Sequence, residues 1–237
     1  MDIKNIIKRL LVIPARGNSK RIKNKNIKIF FNKPIIYHIL DNAKKSKLFS
    51  KIHVSTESKK IAKVVKKKVF IDFFRPKTLS TSKTPIINVL QYVLGEYEKN
   101  KINFDEIWCI LPCSPLINVD DLKNISKKLS IIKKPLITVS RYPCPIEWAL
   151  SIKGSKLIPD NKKKLLLNSQ NFEHKYFDTG QVFAASLSQF KKIKDKNLIN
   201  CSYGHILPPE KSVDIDDMVD WKFSEIIYKG INVCKKN

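Results

Sequence analysis

The chain has 237 residues, of which 43% are hydrophobic, 28% are charged and 9% are aromatic. This composition is typical of a globular protein with a hydrophobic core, and it excludes a disordered chain, a collagen-like chain and a disulfide scaffold. The 46 basic and 21 acidic residues give a formal net charge of +25, which is common among proteins that bind nucleic acid or anionic membrane surfaces.

The first two thirds of the chain alternate between short apolar runs and amphipathic segments. Apolar runs predict buried strands at residues 10–13, 52–55, 107–111 and 136–139, and a strand or extended segment at 69–74. Apolar residues at helical spacing predict helices across residues 35–43, 61–65, 86–97 and 122–129. Three of these helices follow capping residues or proline, at Asn32 and Pro34, at Thr84 and Pro85, and at Asn118. The alternation predicts an α/β fold whose parallel sheet carries helices on both faces.

This rhythm breaks in the last third of the chain. Residues 141–177 are rich in proline and lysine and predict an excursion from the sheet that serves as a lid or a dimer contact. Short strands are predicted at 181–185, at Leu207 and at 213–215, and a final helix is predicted from Asp216 to Gly230. Because no repeat or second domain is visible, residues 1–237 are expected to form one domain.

The cysteines and the hydropathy bear on the compartment. The five cysteines, at positions 109, 113, 144, 201 and 234, form no C-x-x-C pair and fit neither a zinc site nor a disulfide framework. They therefore indicate a reducing cytoplasm. No apolar run approaches the roughly 20 residues of a membrane span, so no membrane partner is expected.

The loop after the first predicted strand, residues 15–21, reads A-R-G-N-S-K-R. Ligands of parallel α/β sheets bind at the carboxyl ends of strands. Gly17 and Asn18 tolerate left-handed backbone conformations that turn N–H groups toward an anion, and Arg16 and Lys20 add positive charge. The loop predicts a triphosphate site, although an exposed lysine-rich turn explains the same residues. It matches neither G-x-x-x-x-G-K-[ST] nor G-x-G-x-x-G.

Asp214 and Asp216 lie two residues apart on a predicted strand, which places both side chains on one side. Two carboxylates in this arrangement suit Mg²⁺, an ion that takes oxygen ligands and is often shared with substrate phosphates. The alternative is that Asp216 caps the final helix.

Two further segments carry polar groups. Asp178 and Gln181 flank Gly180 in a turn into a strand, which suits a hydroxyl-rich ligand, although an Asx turn without a ligand explains it equally well. Ser114 follows the strand at 107–111 and is a further candidate for ligand contact. Cys113 favours packing over nucleophilic catalysis, because the four histidines lie in no recognisable catalytic motif.

Several of these segments belong to an ordered set: I-P-A-R-G-N-S-K-R at 13–21, K-N-I-K at 25–28, K-P-I-I at 33–36, V-S-T at 54–56, R-P at 75–76 and D-I-D at 214–216. Together they closely resemble the acylneuraminate (CMP-sialic acid) cytidylyltransferase family. Within that family, residues 19–22, 142–150 and 178–181 look most like the pseudaminic acid branch.

The resemblance implies a Rossmann-like, mostly parallel sheet of the nucleotide-diphospho-sugar transferase type. It implies that CTP and a nine-carbon keto-sugar acid react, with Mg²⁺ required, to give the CMP-sugar and pyrophosphate for surface glycan biosynthesis. It further implies a cytoplasmic homodimer in which residues 141–177 pack against the second subunit.

By the same resemblance, individual residues take roles. Arg16 and Lys20 would hold the phosphates, Ser19 and Asn26 would help seat the nucleotide, and Arg75 would contact the cytidine portion. The nucleotide-binding set is Ala15, Arg16, Gly17, Asn18, Ser19, Lys20, Asn26 and Arg75. Asp214 and Asp216 match the metal-binding pair, and Ser114, Asp178 and Gln181 are expected to contact the sugar.

Three positions depart from the family pattern. Thr81 stands where an acidic residue is common, Leu111 replaces a glutamine of many sialic acid enzymes, and Asn168 lies where the pseudaminic branch usually has arginine. The phosphate and metal residues are retained. These changes leave open a sialic, legionaminic or other keto-sugar acid as substrate, and a degenerate protein that binds CTP without turnover.

A nucleic-acid-binding protein is the alternative from a different class, and its affinity would collapse with salt. The basic residues are 41 lysines and only five arginines. Because arginine pairs best with phosphates and guanine edges, no nucleic-acid partner is expected. The lysines are instead expected on solvated faces, where their charge favours anionic substrates.

Overall fold

The computed structural model describes residues 7–194 and 198–234. In these residues the strands are Arg9–Pro14 (β1), Ile29–Phe30 (β2), Lys33–Pro34 (β3), Lys51–Ser55 (β4), Glu106–Ile110 (β5), Leu136–Arg141 (β6), Leu150–Lys153 (β7), Lys156–Pro159 (β8), Tyr176–Ser186 (β9) and Tyr203–Ile206 (β10). The helices are Ile35–Ser46 (α1), Lys59–Val65 (α2), Ile86–Lys99 (α3), Val119–Ile132 (α4), Lys162–Leu165 (α5), Leu187–Phe190 (α6) and Met218–Cys234 (α7).

The main sheet has the strand order β10-β6-β9-β5-β1-β4. β9 runs antiparallel to both neighbours, whereas β1 pairs in parallel with β4 and β5, and β10 pairs in parallel with β6. Parallel pairing brings the carboxyl ends of β1, β4 and β5 to one edge, so the segments that follow these three strands meet there. The prediction of a mostly parallel sheet is confirmed.

Helices cover both faces of the sheet, as predicted. Leu11 and Ile13 of β1 face α1, α2 and α4, whereas Leu10 and Val12 face α3 and α6. All four side chains are fully buried. Because successive residues of a strand point to opposite faces, a continuous apolar run is what a strand buried on both sides requires.

The helix starts follow local signals with one exception. Asn118 and Asp121 form a capping box at the start of α4, and α3 begins directly after Pro85. α1 begins at Ile35 with Pro34 at its N-cap, so Asn32 lies in the turn between β2 and β3 and does not cap the helix.

The C-terminal elements differ from the predictions. Residues 213–215 form no strand, and the strand predicted at Leu207 lies one residue earlier, as β10. α7 begins at Met218 because the carboxylate of Asp217 accepts the N–H groups of Val219 and Asp220 at 2.7 and 3.1 Å. The prediction that the final helix starts at Asp216 is therefore wrong, and so is the alternative that Asp216 caps it.

Residues 142–175 leave the main sheet and contain the antiparallel β7–β8 hairpin and α5, whereas Arg141 ends β6 and Tyr176 and Phe177 begin β9. The predicted bounds 141–177 therefore include three residues of the main sheet, and the role as a lid or a dimer contact stays a prediction. Residues 69–74 are irregular and form no strand. Within the described ranges, no helix is both long and apolar enough to cross a membrane. The expected domain of residues 1–237 includes residues 1–6, 195–197 and 235–237, which lie outside the described residues.

Candidate active site

A cleft of about 250 Å³ opens at the edge where β1, β4 and β5 end. Its lining brings together nine of the predicted site residues, namely Arg16, Ser19, Lys20, Asn26, Arg75, Ser114, Gln181, Asp214 and Asp216. The remaining four lie elsewhere. Ala15, Gly17 and Asn18 do not line the cleft, and Asp178 lines a neighbouring cavity.

The backbone of the 15–21 loop does not behave as predicted. Neither Gly17 nor Asn18 adopts a positive φ. A Cβ atom on Gly17 would lie 2.8 Å from Cβ of Ser58, so glycine is required here by the close approach of two chain segments and not by a left-handed turn. The Gly17 N–H donates to Oε1 of Glu57 at 2.7 Å and does not face the cleft.

Asn26 fixes the other side of this loop from a buried position. Its Nδ2 donates to the carbonyl oxygen of Arg16 at 2.9 Å, and its Oδ1 accepts from Sγ of Cys113 at 3.5 Å. Burial raises the pKa of the Cys113 thiol to about 12, so a thiolate nucleophile is not available at neutral pH. This contact agrees with the predicted packing role of Cys113.

Arg75 is a buried cation in the wall of the cleft. Its backbone N–H donates to the carbonyl of Thr56 at 2.9 Å, its Nε donates to Oγ of Ser80 at 3.1 Å, and its Nη2 lies 3.3 Å from Oε2 of Glu57. Burial lowers the pKa of Arg75 and Glu57 opposes that shift. The side chain is thus held on the side of the cleft formed by β4.

Asp214 and Asp216 line the same cleft as the 15–21 loop, from the irregular segment before α7. Oδ1 of Asp216 accepts from Nη2 of Arg21 at 2.6 Å and lies 3.6 Å from Nζ of Lys25. Partial removal from water, followed by repulsion from Asp216, raises the pKa of Asp214. The capping of α7 by Asp217 leaves both carboxylates directed to the cleft.

The carboxylate pair fits a magnesium ion by the chemistry of its donors. Among the described residues, no group of three or more histidine, cysteine, aspartate or glutamate side chains is arranged to hold a metal. Mg²⁺ is commonly held by one or two carboxylates together with waters and substrate phosphates, and it does not require a complete cage of protein ligands. Two aspartates facing a basic loop meet that requirement.

A second, largely apolar cavity of about 530 Å³ adjoins the cleft, and Ile86, Leu111 and Gln181 line both. Nε2 of Gln181 donates to the carbonyl of Val213 at 3.0 Å, which ties β9 to the segment that carries the aspartates. Oε1 of Gln181 and Oγ of Ser114 are buried without a protein partner within the described chain. Such atoms are suited to bonding a ligand.

Asp178 forms the Asx turn that the sequence left as an alternative. Its Oδ1 accepts the Gly180 N–H at 2.8 Å, and Gly180 has a φ of 65°, a conformation that favours glycine. The turn uses one carboxylate oxygen of Asp178, and Asp178 also lines the second cavity. The turn and a ligand contact are therefore compatible.

Glu57 supports this site through Gly17 and Arg75 and is one residue that the sequence reasoning missed. It directly follows the V-S-T segment at 54–56, at the carboxyl end of β4. A carboxylate two residues beyond the end of a strand is the signal that could have found it. Arg21 and Lys25 belong to basic segments of the sequence, but their contacts with Asp216 span more than 190 residues and leave no local trace.

The chain is similar to a family of known proteins. The sequence profile of the cytidylyltransferase family matches residues 10–138. The chain is 29% identical to pseudaminic acid cytidylyltransferase of Campylobacter jejuni, over 94% of this chain and 97% of that protein. It is 28% identical to CMP-N,N'-diacetyllegionaminic acid synthase of Legionella pneumophila, over 91% of this chain and 94% of that protein.

A solved structure shares the fold. A CMP-2-keto-3-deoxy-manno-octonic acid synthetase complexed with CTP superposes with a TM-score of 0.67 at 12% identity, over 94% of this chain and 99% of that chain. The profile covers more than half of this chain and includes β1, β4, β5 and the loops that follow them. The resemblance drawn from the sequence is therefore confirmed, and the chain belongs to the cytidylyltransferase family of nucleotidyltransferases.

Proposed function

We propose that this protein transfers the CMP group of CTP to a nonulosonic acid, with pseudaminic acid the favoured substrate, and releases pyrophosphate. One observation carries the proposal. A basic loop with Arg16 and Lys20 lines the same cleft as Asp214 and Asp216, so cations for a triphosphate and carboxylates for its metal ion are present in one cavity. The names of two relatives that match nearly the whole chain support the choice of sugar acid.

Arg16 and Lys20 hold the triphosphate in this proposal, with Ser19 beside them. Their charges neutralise the phosphates, and catalysis comes mainly from positioning and from charge stabilisation at the α-phosphorus. Arg75 contacts the cytidine portion. Asn26 acts on the nucleotide indirectly, because its hydrogen bonds to the Arg16 carbonyl and to Cys113 set the position of the loop.

Asp214 and Asp216 hold Mg²⁺ in this proposal. The ion neutralises phosphate charge and helps orient the triphosphate when it is bound. The anomeric hydroxyl of the sugar acid attacks the α-phosphorus, the bond from that phosphorus to the bridging oxygen breaks, and pyrophosphate leaves with the electron pair. The hydroxyl proton passes to solvent.

The sugar acid lies where the cleft meets the second cavity. Ser114 and Gln181 present buried, unpartnered oxygens there, and Asp178 presents a carboxylate at the outer wall. Of the three departures from the family pattern, Thr81 and Leu111 line the cleft, whereas Asn168 lies in the 141–177 excursion. The aliphatic wall that Leu111 contributes favours a sugar with deoxy or acylamino substituents over a fully hydroxylated one.

A homodimer formed through residues 141–177 is part of the proposal. Ile152 is 71% exposed and Leu157 is 58% exposed on the β7–β8 hairpin, and Leu166 is 86% exposed after α5. Apolar side chains exposed in one contiguous segment are typical of an interaction surface. The proposal also includes one domain, because no repeat or second domain is visible in the sequence, and a cytoplasmic location, because the five cysteines fit no disulfide framework.

Pyrophosphate release tests the proposal. CTP and Mg²⁺ are incubated with pseudaminic, N,N'-diacetyllegionaminic and N-acetylneuraminic acids in parallel, with Asp216→Asn as the blank. Release with pseudaminic acid, absent in the variant, is the expected result. Release only with the legionaminic acid would favour that acid as the substrate. The 28% identity to a CMP-N,N'-diacetyllegionaminic acid synthase supports this alternative. CTP binding without release would indicate a degenerate protein, and no CTP binding would overturn the assignment of the cleft.

A further inference from the structure

The carboxylate of Glu57 connects two parts of the cleft that are distant in sequence. Oε1 accepts the Gly17 N–H at 2.7 Å, and Oε2 lies 3.3 Å from Nη2 of Arg75. The Glu57 side chain is only 16% exposed, so water does not replace these contacts at little cost. One side chain thereby links the loop after β1 to the arginine that follows the 69–74 segment.

The contact to Gly17 is one of two hydrogen bonds that hold a single peptide group. The carbonyl of Arg16 and the N–H of Gly17 belong to the same peptide bond. Asn26 donates to that carbonyl at 2.9 Å, and Glu57 accepts from that N–H. Because both polar atoms of the peptide are held, its plane is fixed, and the direction in which the Arg16 side chain leaves the backbone is restricted.

The packing around Gly17 also indicates that the loop is held in place, and it does so independently of the hydrogen bonds. A Cβ atom at position 17 would lie 2.8 Å from Cβ of Ser58 and 3.2 Å from Oε1 of Glu57. The loop is thus seated directly against the 57–58 segment. A small movement of that segment moves the loop with it, because no space remains between them.

Glu57 also balances the charge of a buried cation. Arg75 is buried, and Arg16 is a second cation near enough to act on it electrostatically. Glu57 is the carboxylate paired with Arg75 among the described residues. Without it, a buried guanidinium would face another cation unpaired and would be expected to leave its position.

We infer that Glu57 is a positioning residue for the CTP site, holding the Arg16–Gly17 peptide and the Arg75 guanidinium in one arrangement so that loop and arginine meet the nucleotide together. The inference rests on the proposed function. The opposite role, in which the carboxylate occupies a phosphate position and is displaced by CTP, makes the opposite prediction, because removing the charge would then tighten CTP binding.

Two variants separate the two contacts. Glu57→Gln keeps an oxygen for the Gly17 N–H but turns an amide N–H₂ toward Arg75, whereas Glu57→Ala removes both contacts. We expect the dissociation constant for CTP, measured by calorimetry without sugar acid, to rise about tenfold or more in Glu57→Ala and several-fold in Glu57→Gln. Glu98→Gln, which removes a surface carboxylate paired with Lys191, is the matched control and should bind CTP as the parent protein does.

Kinetics distinguish positioning from general destabilisation. A positioning role raises KM for CTP and leaves KM for the sugar acid unchanged, whereas loss of folded protein lowers the apparent kcat without changing either KM. Glu57→Gln conserves volume, so it carries the test if Glu57→Ala fails to fold. CTP binding at or above parent affinity in both variants, or equal rises in both KM values, would overturn the inference alone. Failure of the parent protein to bind CTP would overturn the proposed function with it.

Discussion

Nη2 of Arg21 and Oδ1 of Asp216 form a 2.6 Å ion pair in the lining of the cleft, although 195 positions separate them in sequence. Both residues line the cleft, and Asp216 is one of the two proposed metal ligands. Both side chains are substantially exposed, so solvent screens the pair and its contribution to the free energy of unfolding is at most about 1 kcal/mol. Its importance lies in competition, because the guanidinium occupies a carboxylate oxygen that Mg²⁺ would use.

Arg21→Ala removes that competing cation. We expect the Mg²⁺ concentration for half-maximal pyrophosphate release to fall several-fold, with a small change in the midpoint of thermal unfolding. Mn²⁺ titration followed by electron paramagnetic resonance gives a reading independent of turnover. A higher metal requirement would instead mean that Arg21 holds Asp216 in its binding position.

Lys20→Ala tests the phosphate loop. Lys20 is exposed at the cleft and takes part in no core packing, so folding should be unaffected. Loss of a charge-assisted contact to phosphate should raise KM for CTP roughly tenfold to a hundredfold. Titration of CTP at two salt concentrations checks the electrostatic origin, because the parent protein should lose more affinity with salt than the variant. Equal affinities of the two proteins would place the phosphates elsewhere.

Leu111→Gln tests the wall between the cleft and the second cavity. The substitution adds a polar group where Leu111 lines both spaces. We expect kcat/KM to fall for pseudaminic acid and to rise for a more hydroxylated sugar acid, with a change in the ratio of about tenfold. Parallel assays of both acids measure that ratio. KM for CTP serves as the internal control and should stay constant.

His53 makes stability depend on pH. The ring is buried, its Nδ1 lies 3.1 Å from the Tyr97 hydroxyl, and its Nε2 has no partner in the described chain. Burial lowers the pKa of His53 from 6.5 to about 4, an effect that Asp72 opposes and Lys51 reinforces. Between pH 6.5 and pH 4 the unfolded chain therefore binds a proton at His53 that the folded protein does not bind. The free energy of unfolding is not reduced by His53 above pH 6.5, and it falls as the pH is lowered below that value.

The part of the loss that comes from His53 should reach about 1.5 kcal/mol between pH 6.5 and pH 5. Urea unfolding at these two pH values measures it. His53→Phe keeps a ring in the same space and removes this titrating group, so its unfolding free energy should fall by less than that of the parent protein, with the remaining slope coming from groups such as His38 and His205, whose pKa values burial also lowers. An equal slope in both proteins would assign the pH dependence to other groups.

The β7–β8 hairpin tests the proposed dimer. Ile152→Lys places a charge in the exposed apolar surface of residues 141–177. If this surface joins two subunits, light scattering should show a dimer for the parent protein and a monomer for the variant, because a charge without a partner is costly in an apolar interface. Val219→Lys, at a 75% exposed position of α7, is the matched control and should leave the mass unchanged.

Local features were predictable because their causes lie within a few residues. The capping box of Asn118 and Asp121 and the continuous apolar run of β1 each depend on neighbours in sequence. The same holds for the basic 15–21 loop, because a loop that follows a parallel strand lies at the ligand-binding edge of the sheet. The sequence therefore predicted where this loop lies, and nine of the predicted site residues line one cleft, while their roles in binding stay a prediction.

What the sequence did not reveal depends on distant partners. β9 inserts antiparallel between β5 and β6, and no local pattern specifies which strands it will join. Gly17 is required by Ser58, Arg21 pairs with Asp216, and Glu57 links Gly17 to Arg75. Each of these contacts joins segments that are brought together only when the sheet forms, so their geometry follows from long-range packing and not from the residues beside them in the chain.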